Sequence, residues 1–399
     1  MISALAKGKS YLKNLSCSED VISTIECLKN LGIDIKDERS KYIVHGNGFK
    51  GLEKPSVNLN AGNSGTTARL LSGILVAQNF DSTIIGDNSL SKRPMDRLVK
   101  PLRLLGGKIS GSRNSTLPIR IKPAEELRAI DYELTIPSAQ VKSAILLAGL
   151  HIEEPTRVIE SNRTRNHTEN LLKLDVIESN EKIVSGVSFN NYPKPNDYFI
   201  PGDISTAMYF IVLTLLTENS QLLIKNISLN KTRTAAIDLL LKMGAKIEIE
   251  IIGESNREQY GNLIVRSSEL TNVPINREII PLIIDEIPVL AVAGIFAAGE
   301  FRIENAGELR YKESDRIKYL CRNFSLLGLD VDESEDGFVL SGRIKNVRPC
   351  FKSFGDHRIA MALSILSCLL SEGGSVDGIE WASISNPDFL NQLRLISSA

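Results

Sequence analysis

Two hydrophobic patterns alternate along the chain. In the first, a helix-like stretch closes on Leu or Met, a glycine follows, and an alternating apolar–polar run begins. It occurs as "LKNLGIDI" (28–35), "LRLLGGKI" (102–109), "LLKMGAKI" (240–247) and "FSLLGLDV" (324–331). A degenerate copy, "LLKLDVI" (171–177), has Asp175 in the glycine's place. Gly32, Gly106, Asp175, Gly244 and Gly328 are spaced by 74, 69, 69 and 84 residues. A glycine just past a helix suits a left-handed cap, because it lacks the Cβ that penalises positive φ. The period is too long for a solenoid unit. It predicts a small βα module copied several times within globular domains.

The second pattern lies between these copies. "NSGTTARLLSGIL" (63–75), "PSAQVKSAILLAGL" (137–150), "PGDISTAMYFIVLTLL" (201–216), "DEIPVLAVAGIFAAG" (285–299) and "GDHRIAMALSILSCLL" (355–370) each open on small or polar residues and turn almost wholly apolar. Such helices are buried on most sides. Asn63, Ser138, Asp203, Asp285 and Asp356 are the expected N-caps. Free N–H groups and the positive dipole end attract anions. Several such ends sharing one cleft would trap anions without any net charge on the chain. Arg69, Lys142, His357 and Arg358 stand beside these openings, and "SKRPMDRL" (91–98) adds Lys92 and Arg93 before a Pro-started helix.

The run "IIPLIIDEIPVLAVAGIFAAG" (279–299) is the most membrane-like, but Asp285 and Glu286 interrupt it. An Asp at the centre of a membrane helix costs about 2.5–3.5 kcal/mol. A buried strand, a polar turn and a buried helix are predicted instead.

Composition narrows the class. The chain has 399 residues, 42% hydrophobic and 24% charged, with 47 basic against 48 acidic side chains, a net charge of −1. Two domains are expected, and no whole-chain field points to nucleic acid or a membrane surface. Five widely spaced cysteines with no C-x-x-C pair argue against a disulfide framework or a zinc site and favour a reducing cytoplasm.

Against this neutral background, "ELRYKESDRI" (308–317) places six charged residues in ten. A solvated helix face is the ordinary account. If the segment is helical, Lys312 and Arg316 share one face.

The order of "GNSGTTARLL", "KRPMDRL", "SAQVKSAILLAGL", "RNHTENLL", "PGDISTAMYF", "IIDEIPVLAVA", "ELRYKESDRI" and "GDHRIAMAL" resembles the 5-enolpyruvylshikimate-3-phosphate synthase family from residue 1 to about 395. The resemblance implies an α/β (α+β) chain with the two-domain enolpyruvyl transferase fold, built from repeated βαβαββ units. Residues 1–200 would hold three units, the first truncated. Residues 201–399 would hold three more, lacking a strand that the family's N-terminus supplies. It also implies transfer of the enolpyruvyl group of phosphoenolpyruvate to the 5-hydroxyl of shikimate 3-phosphate, with no cofactor or metal. The enzyme would be a cytoplasmic monomer whose partners are these two small molecules, not nucleic acid or membrane. Arg93, Gln140, Arg316, Arg358 and the backbone at Gly65 would hold phosphoenolpyruvate. Ser138, Gln140, Arg165, Asp285 and Lys312 would hold shikimate 3-phosphate. Asp285 and Glu313 would be the catalytic pair, and the charged run would be a catalytic segment. His357 either touches a phosphate or only caps its helix.

The sequence departs from the family in places. The family opens with a strand and a Lys-Ser-…-Arg segment, whereas "MISALAKGKS" matches the helix that follows them. On that reading a 399-residue chain with little activity and poor stability is expected. A truncated or decayed non-catalytic homologue is the alternative. A UDP-N-acetylglucosamine enolpyruvyl transferase is disfavoured, since "NSLSK" rather than a reactive Cys precedes Arg93-Pro94. Thr164 and Asn166 replace the family's usual Ser and Asp, Asn386 stands where Phe is common, and "SISNPDF" (383–389) has no Lys.

Overall fold

The four glycines of the repeat all lie in the left-handed region: Gly32 has φ 83°, Gly106 97°, Gly244 101° and Gly328 76°. Each ends a helix and releases the chain into a strand, Asp34–Glu38, Lys108–Ser110, Lys246–Ser255 or Asp330–Glu333. In the degenerate copy the left-handed residue is Lys173 (φ 56°), which caps the His167–Leu172 helix two positions before Asp175. There a non-glycine bears the cap at a modest steric cost.

The computed structural model describes residues 1–39, 41–113, 115–179 and 181–397. The chain divides into two units, Met1–Ile200 with Ser255–Glu258, and Pro201–Glu254 with Gln259–Ala399.

Three four-stranded sheets form the first unit, each with one parallel pair and two antiparallel ones. In order they run Asp197–Phe199, Lys7–Lys13, Lys41–Asn47, Asp34–Glu38; then Leu59–Asn60, Ser82–Ile85, Ile119–Lys122, Lys108–Ser110; then Val176–Glu178, Ile183–Val187, Thr156–Glu160, Asp131–Glu133. One apolar core joins them through the helices Gly65–Leu75 and Ala139–Gly149. These helices touch closely at Gly73, where a Cβ would fall 2.2 Å from the Ala144 carbonyl oxygen.

In the second unit, Gln221–Ser228, Glu258–Arg266 and Lys246–Ser255 form one sheet. Phe301–Ile303, Phe338–Ser341 and Asp330–Glu333 form another, and Cys350–Lys352 pairs with Ser375–Asp377 in parallel. Its core is built on the helices Ile204–Leu216, Ile287–Phe296 and His357–Leu369, which pack on one another.

Residues 279–299 correct one expectation. The apolar run before the acidic turn is not a strand but a short helix, Ile280–Ile283, with Pro281 in its first turn. Periodicity cannot separate a buried strand from a buried helical turn, and a proline at a helix start is favoured because its missing N–H has no intrahelical partner there anyway. The piece meets Ile287–Phe296 at a bend of 115°. Among the described residues no single helix is long and apolar enough to cross a membrane; only this bent pair passes by length and composition, and its second arm is buried from Ile287 to Gly294.

One packing feature of the first unit sets a pH dependence. His151 stacks on Phe49 with centroids 5.5 Å apart, lies edge-on to Tyr192, and shares its Nδ1 with the Leu147 carbonyl oxygen at 3.2 Å. Burial lowers its pKa from 6.5 to about 4. Between those values the unfolded chain takes up a proton that the folded chain refuses. Stability is therefore expected to fall as pH drops from 6.5 to 4 and to lose nothing further from this group below that. Urea midpoints across the window should show a shallower fall in His151→Phe. An unchanged slope would assign the acid sensitivity to other groups.

Candidate active site

In the first unit the Gly65–Leu75 helix is capped by Ser64, whose Oγ accepts from the Thr67 N–H at 3.1 Å. Asn63, the expected cap, is used otherwise. Its Nδ2 donates to Asp87 at 2.6 Å, and its Oδ1 accepts from Arg93 Nη2 at 2.8 Å. Asn63 thereby fixes Arg93 beside the helix start. Proline 94 precedes the next helix by two positions rather than starting it, since that helix runs Asp96–Leu104 behind Met95. Arg69, one turn into the first helix, donates to Gln140 Oε1 at 2.5 Å, and Gln140 Nε2 donates to Thr66 Oγ1 at 2.9 Å. A Cβ on Gly65 would lie 2.7 Å from Arg69 Nη1 and 3.4 Å from Arg93 Nη1. Two guanidinium groups thus stand over bare backbone at a helix N-terminus, an arrangement suited to a phosphate or carboxylate. Ser138 caps the Ala139–Gly149 helix as expected, accepting from the Val141 N–H at 3.4 Å. Arg165 lies on the loop between Thr156–Glu160 and His167–Leu172.

In the second unit the ends of three buried helices come together. Asp203 and Asp356 are caps as expected, the first accepting from the Thr206 N–H and the second from those of Arg358 and Ile359. Asp285 is not. Glu286 occupies the cap position before Ile287, without a side-chain bond. The Asp285 carboxylate instead meets Lys312 Nζ at 3.2 Å, Arg316 Nη1 at 3.4 Å and Arg358 Nη2 at 3.8 Å. Arg358 Nη1 also donates to the Asp285 carbonyl oxygen at 2.9 Å and lies 3.9 Å from Glu286, which accepts from Ser205 Oγ.

The charged run is not one helix. Gly307–Tyr311 is a 3₁₀ turn, Lys312 is extended, and a new helix begins at Arg316. The shared-face argument for Lys312 and Arg316 therefore fails, yet both reach Asp285. Arg310 Nη1 donates to both Asp315 carboxylate oxygens, at 3.0 and 2.9 Å, and Glu333 lies 3.0 Å from Arg310 Nη2. Asp315 also caps the helix through the Lys318 N–H at 3.1 Å. These two are structural. Arg316 has no exposed side-chain surface, which rules out the solvated face for this residue. It donates through Nε to Asp356 Oδ2 at 2.8 Å and through Nη2 to Glu313. Burial works against its charge, but Asp356 and Glu313 outweigh it, so its pKa rises rather than falls. Arg358 follows the same balance, with Asp285 as the leading partner. Burial pushes the His357 pKa down, and its buried Nδ1 has no hydrogen-bond partner among the described residues. Counting Lys312, Arg316 and Arg358 against Asp285, Glu286, Glu313 and Asp356 gives three cations to four anions. An anionic ligand would compete with these carboxylates for the cations.

The pattern of the family described as EPSP synthase (3-phosphoshikimate 1-carboxyvinyltransferase) matches residues 1–393. The 3-phosphoshikimate 1-carboxyvinyltransferase of Petrotoga mobilis is 43% identical over 406 residues, covering 100% of this chain and 93% of that relative. The Bacillus subtilis protein of the same name is 39% identical over 401 residues with the same coverage. The chain belongs to the EPSP synthase family. A solved EPSP synthase from Acinetobacter baumannii superimposes with a TM-score of 0.85 at 36% identity, covering 99% of this chain and 92% of that one. An enolpyruvyl transferase from Streptomyces tendae, NikO, gives a TM-score of 0.72 at 16% identity, a likeness of fold alone. The two-domain enolpyruvyl transferase fold expected from the sequence is the fold observed.

As a family member the chain groups its expected site residues in two sets. Gly65, Arg93 and Gln140 come together in the first unit, and Asp285, Lys312, Glu313, Arg316 and Arg358 in the second. Sequence reasoning named Arg69 only as a cation near a helix and Asp356 only as a cap. Their signals were present, since each stands within one turn of a polar helix opening. What was missing was the partner, Gln140 for one and Arg316 for the other.

Proposed function

We propose that this chain transfers the enolpyruvyl group of phosphoenolpyruvate to the 5-hydroxyl of shikimate 3-phosphate and releases phosphate. The observation that carries the reading is Asp285, one carboxylate held by three cations, beside a second carboxylate, Glu313, held by one of the same cations. Family membership supplies the reaction class, and favours it over transfer to a UDP-sugar. Arg93, Arg316, Arg358, Gln140 and the Gly65 backbone engage phosphoenolpyruvate; Ser138, Gln140, Arg165, Asp285 and Lys312 engage shikimate 3-phosphate. As substrate anions take over the cations, Asp285 is released to accept the 5-hydroxyl proton. Glu313, in its protonated form, donates a proton to the methylene carbon while the hydroxyl oxygen bonds to the neighbouring carbon. The tetrahedral adduct then loses phosphate, which takes up the proton held by Asp285, and a proton of the new methyl group returns to Glu313. The cations stabilise charge building on the phosphate oxygens. Each unit carries βαβαββ repeats in this proposal, and the enzyme acts as a cytoplasmic monomer.

The test is phosphate release from phosphoenolpyruvate with shikimate 3-phosphate, and with shikimate as control. If the chain releases no phosphate in response to shikimate 3-phosphate, the proposal fails.

The close approach at Gly65 gives a further expectation. In Gly65→Ala the methyl group would press on the Arg69 guanidinium at 2.7 Å. Both guanidinium groups are the far ends of flexible side chains, so the fold survives while the cradle is displaced. KM for phosphoenolpyruvate should rise on the order of tenfold or more, as small misplacements of binding groups do. An unchanged KM would place the anion elsewhere.

A further inference from the structure

Beneath the loop that carries Arg165 lies a buried charge cluster that the reaction does not use. Lys142 is 1% exposed, Glu160 2% and Glu169 2%. The Lys142 ammonium lies 2.7 Å from Glu160 Oε2 and 2.6 Å from Glu169 Oε1. The other oxygen of Glu160 accepts from Thr164 Oγ1 at 2.5 Å. Ser185 Oγ donates to Glu169 at 3.4 Å, and Ser143 and Thr168 share a hydrogen bond of 2.6 Å. A buried ion cluster is weak evidence for stability, because apolar residues of the same volume often serve as well. Its use is better sought in what it connects.

It connects the elements that bear the shikimate 3-phosphate residues. Lys142 lies on the helix whose first turn holds Ser138 and Gln140. Glu160 ends the strand that enters the Arg165 loop, and Glu169 is on the helix that leaves it. Thr164, 4% exposed, is the residue next to Arg165. From the ammonium the path runs through Glu160 to the Thr164 hydroxyl and then one peptide unit to Arg165.

We infer that Lys142, Glu160, Glu169 and Thr164 are positioning residues, which hold the Arg165 loop in register with the Ser138–Gln140 helix start for shikimate 3-phosphate. This rests on the reading of Arg165 as a ligand of that substrate. The cluster fixes the loop by a donor–acceptor chain whose geometry tolerates little displacement, because every member is desolvated.

Calorimetric titration of shikimate 3-phosphate into the full chain, with thermal unfolding measured alongside, decides the matter. Thr164→Val removes only the hydroxyl and should weaken binding roughly tenfold or more, while Thr164→Ser should stay within about twofold of the parent. If Thr164→Val does not fold, the charge-free triple variant K142M/E160Q/E169Q replaces it, with the same expected loss. Arg165→Ala is the reference. If Arg165→Ala weakens binding and the folded Thr164→Val or triple variant does not, the positioning role is wrong while Arg165 stands. If Arg165→Ala itself binds normally, both fall. Equal loss of binding in Thr164→Val and Thr164→Ser would also overturn the inference, since the hydroxyl would then be irrelevant.

Discussion

Glu313→Gln is expected to lower kcat by about 10²–10⁴-fold, the usual contribution of a positioned proton-transfer group, with shikimate 3-phosphate affinity nearly unchanged. The amide keeps the shape of the carboxylate but cannot deliver a proton. It can still accept from Arg316 Nη2, the bond seen in the structure, so Arg316 stays in place. The side chain is also less than one-fifth exposed, so the substitution leaves its packing alone. Single-turnover phosphate release measured with calorimetric binding separates the effects. Parallel loss of binding and turnover would make Glu313 an ion-pair partner of Arg316 and nothing more.

Arg316→Met is expected to destabilise the second unit by about 3–5 kcal/mol, the cost of removing one partner from a buried ionic network. The fully buried guanidinium serves Asp356 at 2.8 Å, Asp285 at 3.4 Å and Glu313. Without it, Asp356 keeps its backbone N–H donors and Ser314, which donates at 3.0 Å, but loses the buried cation that it pairs with. Because a whole domain is stable by only about 5–15 kcal/mol, the loss should be plain in urea or thermal unfolding without substrates. Adding Asp356→Asn removes the orphaned charge and should recover part of it. A midpoint within experimental error of the parent would mean that Arg316 does not carry this network. Stability is the informative measurement, because Arg316 is also a proposed phosphoenolpyruvate contact.

Much of the scaffold was legible because its signals are local. A glycine past a helix reports a positive φ, and all four repeat glycines adopt one. A polar opening before an apolar run reports a buried capped helix, and Ser138, Asp203 and Asp356 act as caps. Where two local signals competed, the sequence misled. Asn63 and Ser64 are both good caps, and Ser64 took the role because Asn63 bonds to Asp87 and Arg93. "IIPLII" suits a strand or a helical turn equally, and became a turn.

The sequence by itself determined which residue types are available for chemistry and roughly where each element begins and ends, because propensity, capping and amphipathicity act within one or two helical turns. Only the tertiary structure decided which charge does what. Within residues 308–317 it sends Arg310 to Asp315 and Glu333, but Lys312 and Arg316 to Asp285. It also joins Lys142 to Glu160 and Glu169, a cluster that no single motif announces. The deciding bonds span 40 residues from Arg316 to Asp356 and 73 from Arg358 to Asp285. A charge lowers its energy by finding the nearest opposite charge in space, and that neighbour is set by how the buried helices pack, which spacing along the chain does not encode.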